Sequence, residues 1–262
     1  MVTDMSEDLL QRTRNLNEVL QASAGRTLGF AALSRVLAEN LGCNTWILDN
    51  GGGILGYHWT GQPPCAVMRE TLRQGSAIPA SCATFCATVR KTRANLRQKR
   101  GKCVFDLPRS CLWDNILTTV VPIPGAGRRQ GSLVLTRAAP GVSGADLVLA
   151  ENAATMAGLE IVRRSMGDQR EAEHRRIVLR AAVDALSPAE REAVRRLMPA
   201  LAAGPTVVVT ARAARRTGCT RSVLVNALHK LKSAGVIELK SHGMKGTYVR
   251  VVNGDIIERL AR

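Results

Sequence analysis

The sequence of 262 residues predicts an α+β fold, in which helices pack on an antiparallel sheet and a long helix leads to a C-terminal helical domain. The sheet is predicted from two pairs of strand-like segments, each joined by a Gly-rich turn. "CNTWILD" and "ILGY" flank "NGGG", whereas "LTTVVPIP" and "GSLVLTR" flank "GAGRRQ". Alternating apolar runs around such a turn are typical of a β-hairpin. Helical segments lie between the hairpins, which favours helices packed on one antiparallel sheet.

Three helices are predicted in this N-terminal part, because apolar residues recur there at helical spacing. "LLQRTRNLNEVLQASAG" ends at Gly25, and "FAALSRVLAENLG" ends at Gly42, a residue type that is common at helix C-caps. "CAVMRETLRQG" is the third helix. Together with the hairpins, these helices form a first domain predicted at residues 1–142.

The next segment, residues 143–186, is predicted to be mostly helical because it contains little Gly or Pro. Ser143 with Asp146 resembles a capping box at its start, and Gly167 is its weakest point. The pattern is equally compatible with one long linking helix and with two ordinary helices.

A third domain is predicted at residues 187–262 and opens with a strong helix start. Ser187 is the N-cap, Pro188 takes the first helical position and Glu190 closes a capping box. Residues 186–262 contain 14 Lys and Arg against 5 Asp and Glu, and the whole chain has a formal net charge of +16. A field of that sign attracts polyanions, so nucleic acid or an anionic membrane surface is the expected partner class.

Membrane insertion, export and a disulfide framework are not expected. No stretch approaches the ~18 continuous apolar residues of a membrane span. The segment "MVTDMSEDLLQRTRNLNEVL" carries Asp and Glu and lacks the apolar core of a signal peptide. Seven cysteines, an odd number, favour reduced thiols in such a chain. We therefore expect a cytoplasmic protein without a membrane partner.

The third domain contains a helix, a tight turn and a second helix. "TARAARRTG" predicts a short helix that Thr210 caps and Gly218 ends, and Thr220 is the N-cap of the helix that follows. This arrangement is the helix-turn-helix plan, in which the start of the second helix meets base edges in the major groove of DNA. One face of the second helix is predicted to be buried: Val223, Ala227, Leu228, Leu231 and Ala234. The other face carries Arg221, Ser222, Val225, Asn226 and His229.

Two strand-like segments after the helix, "VIELKS" and "TYVRVV", predict a wing with "HGMKG" at its tip. Lys240, Lys245 and Arg250 are placed to reach phosphates, whereas Arg and Asn can each form paired hydrogen bonds to a base. The sequence therefore predicts double-stranded DNA binding. The predicted DNA-binding residues are Thr220, Arg221, Ser222, Asn226, His229 and Lys245.

The sequence resembles the CodY family over most of its length, and the match is closest in "TRSVLVNALHKLKSAGVIELKSHGMKGTYVRVVN". The resemblance also covers "LLQRTRNLNEVLQASAG", "ILGY", "LTTVVPI" and "LAENAATMAGLEIVR". The resemblance implies an N-terminal GAF domain, a linking helix and a winged helix-turn-helix. It also implies a homodimer that binds operators of amino-acid metabolism genes, mainly as a repressor. The implied effectors are isoleucine, leucine and valine, and GTP in some members. The resemblance implies no required cofactor.

The resemblance also assigns residues to the effector site. Trp46 corresponds to a strand aromatic under the ligand, and Arg69 to the Arg that holds its carboxylate. This chain reads Met68 before Arg69 where the family has Arg before Met, and one position on a helix is about 100° of rotation. The full set of implied effector residues is Trp46, Met68, Arg69, Leu72, Ile78, Pro79 and Phe105. On the second helix of the third domain, Arg221 and Ser222 inherit the role of reading the operator.

Five clustered cysteines leave an alternative open, in which the first domain senses redox state or a metal. The candidates are Cys65, Cys82, Cys86, Cys103 and Cys111. Thiolates gathered in this way can hold zinc or an iron–sulfur cluster, or act as a redox pair. Their spacing matches no standard site, and buried free cysteine is also an ordinary core residue.

Three further patterns have simpler interpretations. "GAGRRQGS" lacks the Lys of a phosphate-binding loop and lies between two strands, so it predicts a hairpin turn in preference to a GTP site.

"VRKTRANLRQKRGK" is interpreted as a solvated helix face or loop, with contact to DNA or an anionic effector as the alternative. No histidine lies in a motif with a nucleophile, and no paired carboxylates or cofactor fingerprint appear, so no catalytic residues and no enzyme activity are predicted.

Overall fold

The computed structural model describes residues 2–23, 28–61, 70, 72–74, 77–97, 116–202, 204, 206–241 and 246–256. The chain divides into two compact units, Met1–Met166 and Gly167–Arg262. None of the helices in the described ranges is both long and apolar enough to cross a membrane.

The first unit is built on a five-stranded antiparallel sheet. Its strands are β1 (Asn44–Asp49), β2 (Ile54–His58), β3 (Arg93–Arg97), β4 (Ile116–Gly125) and β5 (Arg128–Ala138). Their order across the sheet is β2-β1-β5-β4-β3. The predicted hairpins are confirmed as β1–β2 and β4–β5, and the two are joined side by side through β1 and β5.

Helices cover this sheet. They are α1 (Val2–Ser23), α2 (Phe30–Leu41), α3 (Ala80–Thr88) and the first half of α4 (Gly144–Asp184). Gly42 ends α2 in the left-handed conformation, as predicted. Side chains of α1, α2 and α4 form the main core against one face of the sheet. Each fully buried Leu or Ile there contributes about 1.5–3 kcal/mol. The largest are Leu16, Leu33, Leu37, Ile47, Ile123, Leu133, Leu135 and Leu149.

Residues 144–184 form one continuous helix that runs through Gly167, so the single-helix alternative is the correct one. The predicted capping box at its start is present. Ser143 N–H donates to Asp146 Oδ2 at 2.9 Å, and Asp146 N–H donates to Ser143 Oγ at 3.2 Å. The shorter Asp side chain therefore closes the box as Glu does elsewhere.

The interpretation of the basic stretch as a helix face or loop is wrong for Arg93–Arg97, which forms strand β3 at the sheet edge. The strand is irregular because Asn95 has a positive φ of 55° and the pairing with β4 shifts there. Asn95 also exchanges two side-chain hydrogen bonds with the backbone of Val142, at 2.8 and 2.9 Å. These long-range bonds hold a segment in which no alternating apolar pattern is present.

The second unit continues α4 into α5 (Pro188–Ala202), α6 (Thr210–Thr217) and α7 (Arg221–Ser233). Strands β6 (Thr206–Val208), β7 (Ile237–Ser241) and β8 (Thr247–Val251) form an antiparallel sheet in the order β6-β8-β7. A separate core joins these elements, and its members include Leu179, Leu186, Val194, Leu224, Leu228, Leu231 and Val249. The capping box of Ser187 and Glu190 is present as predicted, with bonds of 2.8 and 3.2 Å.

Candidate DNA-binding interface and candidate effector site

Helices α6 and α7 are joined by a tight turn that Gly218 makes possible. Gly218 has φ 67° and ψ 27°, a left-handed conformation that residues with a side chain rarely adopt. Thr220 has extended backbone, and its Oγ1 accepts a hydrogen bond from Val223 N–H at 3.4 Å. The predicted N-cap of α7 is therefore confirmed. The predicted cap of α6 is wrong, since Thr210 is the first helical residue and Val209 precedes it without a side-chain cap.

The predicted buried face of α7 is confirmed for Ala227, Leu228 and Leu231, whereas Val223 and Ala234 are partly buried at the edge of the core. Leu224, which was not predicted on this face, is fully buried as well. The spacing 224, 227, 228 and 231 is the i, i+3, i+4, i+7 pattern of a helix that packs on a core. The larger side chain of Leu224 removes more apolar surface from water than Val223 would, which explains this orientation.

The opposite face of α7 is polar and exposed. Arg221, Ser222, Asn226 and His229 are all exposed, and Thr220 is exposed at the cap. The hydroxyl oxygens of Thr220 and Ser222 lie 3.1 Å apart. The start of α7 therefore carries hydrogen-bonding side chains that no core contact occupies, which is the arrangement of a recognition helix. Lys245, the remaining predicted DNA-binding residue, lies outside the described residues.

The predicted wing is formed by β7 and β8, which pair from Ile237↔Val251 to Ser241↔Thr247. Glu238 and Arg250 face each other in this register, and their side chains form an ion pair of 2.7 Å. The hydrogen bond from Arg250 lowers the pKa of Glu238. The Arg250 guanidinium therefore has a partner in the wing itself. Lys240 is exposed on the neighbouring strand.

Sequence reasoning missed a second basic surface on α6. Arg212, Arg215 and Arg216 are exposed, whereas Ala213 and Ala214 face the core. The run "RAARR" was available as a signal, because alternation of Arg with small residues at helical spacing separates a charged face from a packed one. These side chains add positive charge to the helix that precedes the recognition helix.

The candidate effector site lies on the face of the five-stranded sheet that does not pack on α1 and α2. Paired residues place Tyr57, Trp46, Val134 and Val120 side by side on neighbouring strands. Trp46 is 5% exposed and stacks on Tyr57 with 5.8 Å between ring centroids. Trp59 meets it edge-on at 5.0 Å. An aromatic floor of this kind can hold an apolar side chain of a ligand.

Three other predicted effector residues are described. Leu72 lines a cavity of about 360 Å³ with Ala31 of α2 and with residues 54–57 of β2, which include Tyr57. Ile78 N–H donates to the Gly52 carbonyl oxygen at 2.9 Å, and Pro79 is the N-cap of α3. Met68, Arg69 and Phe105 lie outside the described residues.

Arg129 is a residue that sequence reasoning did not single out. Its Nη2 donates to the Cys86 carbonyl oxygen near the end of α3 at 2.8 Å, and also to Ser132 Oγ. Its Nη1 donates to Asn50 Oδ1 at 2.9 Å. Burial lowers the pKa of Arg129. One guanidinium thus joins the β1–β2 turn, β5 and α3, whose last turn packs on Val120.

The Gly-rich stretch is the β4–β5 turn, as predicted. Pro124 pairs with Arg129 and Gly125 with Arg128, which leaves Ala126 and Gly127 as the two turn residues. Both have positive φ, 49° and 71°, as the hairpin turn that matches strand twist requires.

Two of the five candidate cysteines are described. Cys82 and Cys86 lie four residues apart on α3, and Cys86 is buried. Burial raises the pKa of the Cys86 thiol, which disfavours the reactive thiolate. Within the described ranges, no group of three His, Cys, Asp or Glu could hold a metal ion. Cys65, Cys103 and Cys111 lie outside the described residues.

A winged helix-turn-helix with a free polar recognition face, preceded by a separate α+β domain and a long helix, defines a class of protein: a DNA-binding transcriptional regulator. Comparison with known proteins agrees. Residues 8–185 match the family described as the CodY GAF-like domain, and residues 207–262 match the CodY helix-turn-helix domain. The chain belongs to the CodY family, and its α+β fold is that of a GAF-like domain, a long helix and a winged helix-turn-helix.

Similar proteins match nearly the whole chain. The global transcriptional regulator CodY of Clostridium perfringens strain 13 is 36% identical over 254 residues, which cover 97% of this chain and 98% of that protein. The regulators of the same name from Clostridium tetani and Lysinibacillus sphaericus are 37% identical with the same coverage. A solved structure, the cofactor binding GAF domain of the nutrient sensor CodY from Clostridium difficile, is 30% identical. It covers 58% of this chain and 96% of that chain, with a TM-score of 0.42.

Proposed function

We propose that this protein is a cytoplasmic homodimer that binds operators of amino-acid metabolism genes, mainly as a repressor, and responds to a branched-chain amino acid. The observation that carries the DNA-binding part is the exposed face of α7, with Arg221, Ser222, Asn226 and His229 free of core contacts. Arg221 and Asn226 are the base-reading residues in this proposal, because each can form two hydrogen bonds to one base.

Thr220, Lys240 and Lys245 serve as phosphate contacts in this proposal. Such contacts set the position of the helix on the duplex and make affinity fall steeply with salt, but they carry no sequence information. A homodimer reads two half-sites about one helical turn apart, so each protomer supplies one α7.

The effector part of the proposal rests on the aromatic floor around Trp46. Isoleucine, leucine and valine offer an apolar side chain for Trp46, Leu72 and Ile78, whereas their carboxylate requires a charged donor when it is enclosed. Arg69 is the assigned donor, and Pro79, Met68 and Phe105 complete the site. GTP is proposed as a second effector, as the family resemblance implies.

DNA binding is tested by selecting a duplex from a random library with the wild-type protein and measuring its affinity by fluorescence anisotropy. We expect a preference over random duplex of at least about 10³-fold, with affinity that falls as salt rises. Equal affinity for both duplexes would contradict the proposal. Sedimentation of the free protein and of the complex checks that two chains bind one operator.

The effector is tested by calorimetric titration with isoleucine, leucine, valine and GTP, each measured alone. Arg69→Ala is expected to abolish amino-acid binding. Arg73→Ala is the matched control, because Arg73 lies on the same segment and pairs with Glu70 at 2.8 Å. Equal loss in both variants, or no heat with any of the four compounds, would contradict the assignment of the site.

A further inference from the structure

Lys230 lies on the recognition helix, and its side chain is 44% exposed, yet its ammonium group binds α5 and the end of α4. Lys230 Nζ is 2.7 Å from Glu190 Oε2 on α5. It also donates to the Ala185 carbonyl oxygen at 3.1 Å, one residue after α4 ends. Two of the three donors of this lysine are therefore used within the protein.

Glu190 is the centre of this contact. Its Oε2 also accepts the Ser187 N–H bond of the capping box at 2.8 Å, and its side chain is only 8% exposed. The nearby Arg191 Nη2 donates to the Val183 carbonyl oxygen at 3.2 Å. One carboxylate thus joins the start of α5 to the recognition helix, and Lys230 and Arg191 bind the last carbonyls around the end of α4.

The position of Lys230 would otherwise indicate a phosphate contact. It follows His229 directly and lies one turn beyond Asn226, on the exposed side of α7. A lysine at such a place commonly adds affinity through the DNA backbone. Here its charge is already compensated by a carboxylate that the core nearly encloses.

We infer that Lys230 is a positioning residue that fixes the inclination of α7 on α5 and the end of α4 through Glu190, and that it is not a phosphate contact. Arg221 lies nine residues away, roughly 13 Å along the helix. A tilt of roughly 10° about Lys230 would move Arg221 by roughly 2 Å at that helical rise, enough to break hydrogen bonds that require 2.7–3.2 Å. This inference rests on the proposed role of α7 as the recognition helix.

The test compares Lys230→Met, Glu190→Gln and the control Lys232→Met on the selected and random duplexes over a range of salt. Lys232 lies on the same helix and is exposed. Glu190→Gln keeps a side chain that can close the capping box, but it removes the charge that holds Lys230. We expect both Lys230→Met and Glu190→Gln to lower the preference for the selected duplex about 10-fold, the loss of one well-placed base contact. Lys232→Met leaves that preference unchanged.

Glu190→Gln distinguishes a positioning role of Lys230 from a simple effect of net charge on DNA affinity. Removal of an acidic group strengthens binding to DNA if only net charge matters, so a weaker preference in this variant requires a geometric effect. Lys230→Arg can still reach Glu190 and is expected to restore the preference. Circular dichroism and thermal unfolding establish that each variant is folded at the temperature of the binding measurement.

The inference is overturned by either of two results. The first is a uniform loss of affinity for both duplexes with a salt slope lowered by about one in Lys230→Met, which identifies a phosphate contact. The second is wild-type behaviour of Lys230→Met or Glu190→Gln. A wild-type protein that does not distinguish the two duplexes is a separate outcome, since it overturns the proposed function and this inference with it.

Discussion

The side chain of Asn50 makes two hydrogen bonds to Arg129, one to its guanidinium and one to its backbone. Arg129 Nη1 donates to Asn50 Oδ1, and Asn50 Nδ2 donates to the Arg129 carbonyl oxygen, each at 2.9 Å. The same guanidinium binds the Cys86 carbonyl oxygen. The β1–β2 turn, β5 and α3 are therefore connected through one residue beside the face that carries Trp46.

Replacement of Arg129 by Met is expected to destabilise the first unit. It removes charge-assisted hydrogen bonds to three partners, and we expect the free energy of unfolding to fall by about 1–3 kcal/mol. Urea unfolding measures this change, and hydrogen exchange should increase in residues 77–90. Arg128→Met is the control, because Arg128 is exposed at the neighbouring position. Equal effects of the two substitutions would show that the Arg129 contacts do not stabilise the unit.

Replacement of two glycines of α4 by alanine is expected to change the free energy of unfolding in opposite directions. A Cβ on Gly158 would overlap the Pro124 carbonyl oxygen, whereas a Cβ on Gly167 meets nothing within 4 Å. Gly158→Ala should lower the free energy of unfolding by about 1–3 kcal/mol or more, because backbone must move. Gly167→Ala should raise it by about 1 kcal/mol, because alanine favours the helix. Thermal unfolding of both variants measures the difference, and a stabilised Gly158→Ala would show that α4 does not pack closely on Pro124.

The contact between Glu190 and Lys230 predicts a dependence of stability on pH. The hydrogen bond from Lys230, followed by that from Ser187 N–H, lowers the pKa of Glu190 below its ordinary value of 4.5. A carboxyl group with a lowered pKa in the folded state stabilises the protein above its unfolded pKa, and that contribution is lost as pH falls through the folded pKa. Wild type should therefore exceed Glu190→Gln in stability at pH 7, and the difference should shrink below pH 4.5. A constant difference between pH 7 and pH 3 would contradict the contact.

Cysteine labelling distinguishes the amino-acid sensor from the cysteine alternative. Burial raises the pKa of Cys43 to about 12 and raises that of Cys86 as well. Alkylation requires the thiolate, so both should resist iodoacetamide at pH 8 in the native protein, whereas the partly exposed Cys219 reacts. Mass spectrometry after a short exposure identifies the labelled positions, and urea-unfolded protein is the control. Rapid native labelling of Cys86 would favour a redox role.

Arg221→Ala should reduce specificity, and Lys240→Ala should reduce affinity without changing specificity. Loss of a paired hydrogen bond to a base costs about 1–3 kcal/mol for the selected duplex alone. Loss of a phosphate contact weakens binding to all duplexes and lowers the salt slope by about one. Anisotropy titrations on selected and random duplexes separate the two effects. If both substitutions lowered affinity uniformly, Arg221 would be a phosphate contact.

Much of the fold could be predicted from the sequence because the signals are local. The capping boxes at Ser143 and Ser187 and the N-cap at Thr220 depend on residues within three positions of one another. The hairpins depend on their turns, and the Gly218 turn identifies the helix-turn-helix. Residues within one turn of each other cannot be far apart in space, so their pattern in the sequence predicts their contacts directly.

Contacts between distant segments could not be predicted in this way. Which face of α7 is buried depends on the core residues that pack against Leu224. The edge strand at Arg93–Arg97 depends on its pairing with β4 and on the hydrogen bonds between Asn95 and Val142. The interpretation of the basic stretch as a solvated helix face or loop, and the omission of Leu224 from the buried face of α7, each considered one segment alone.

The sequence by itself determined the α+β class, the helix-turn-helix and the exposed Arg221, Ser222 and Asn226, since local periodicity and capping decide these features. Only the tertiary structure decided that Lys230 binds Glu190, 40 positions away, and that Arg129 binds α3. Lys and Arg have long charged side chains, and the sequence alone gives no sign that these two are bound within the protein. Their partners are a carboxylate and carbonyl oxygens that folding brings to 2.7–3.1 Å, and no spacing along the chain encodes that distance.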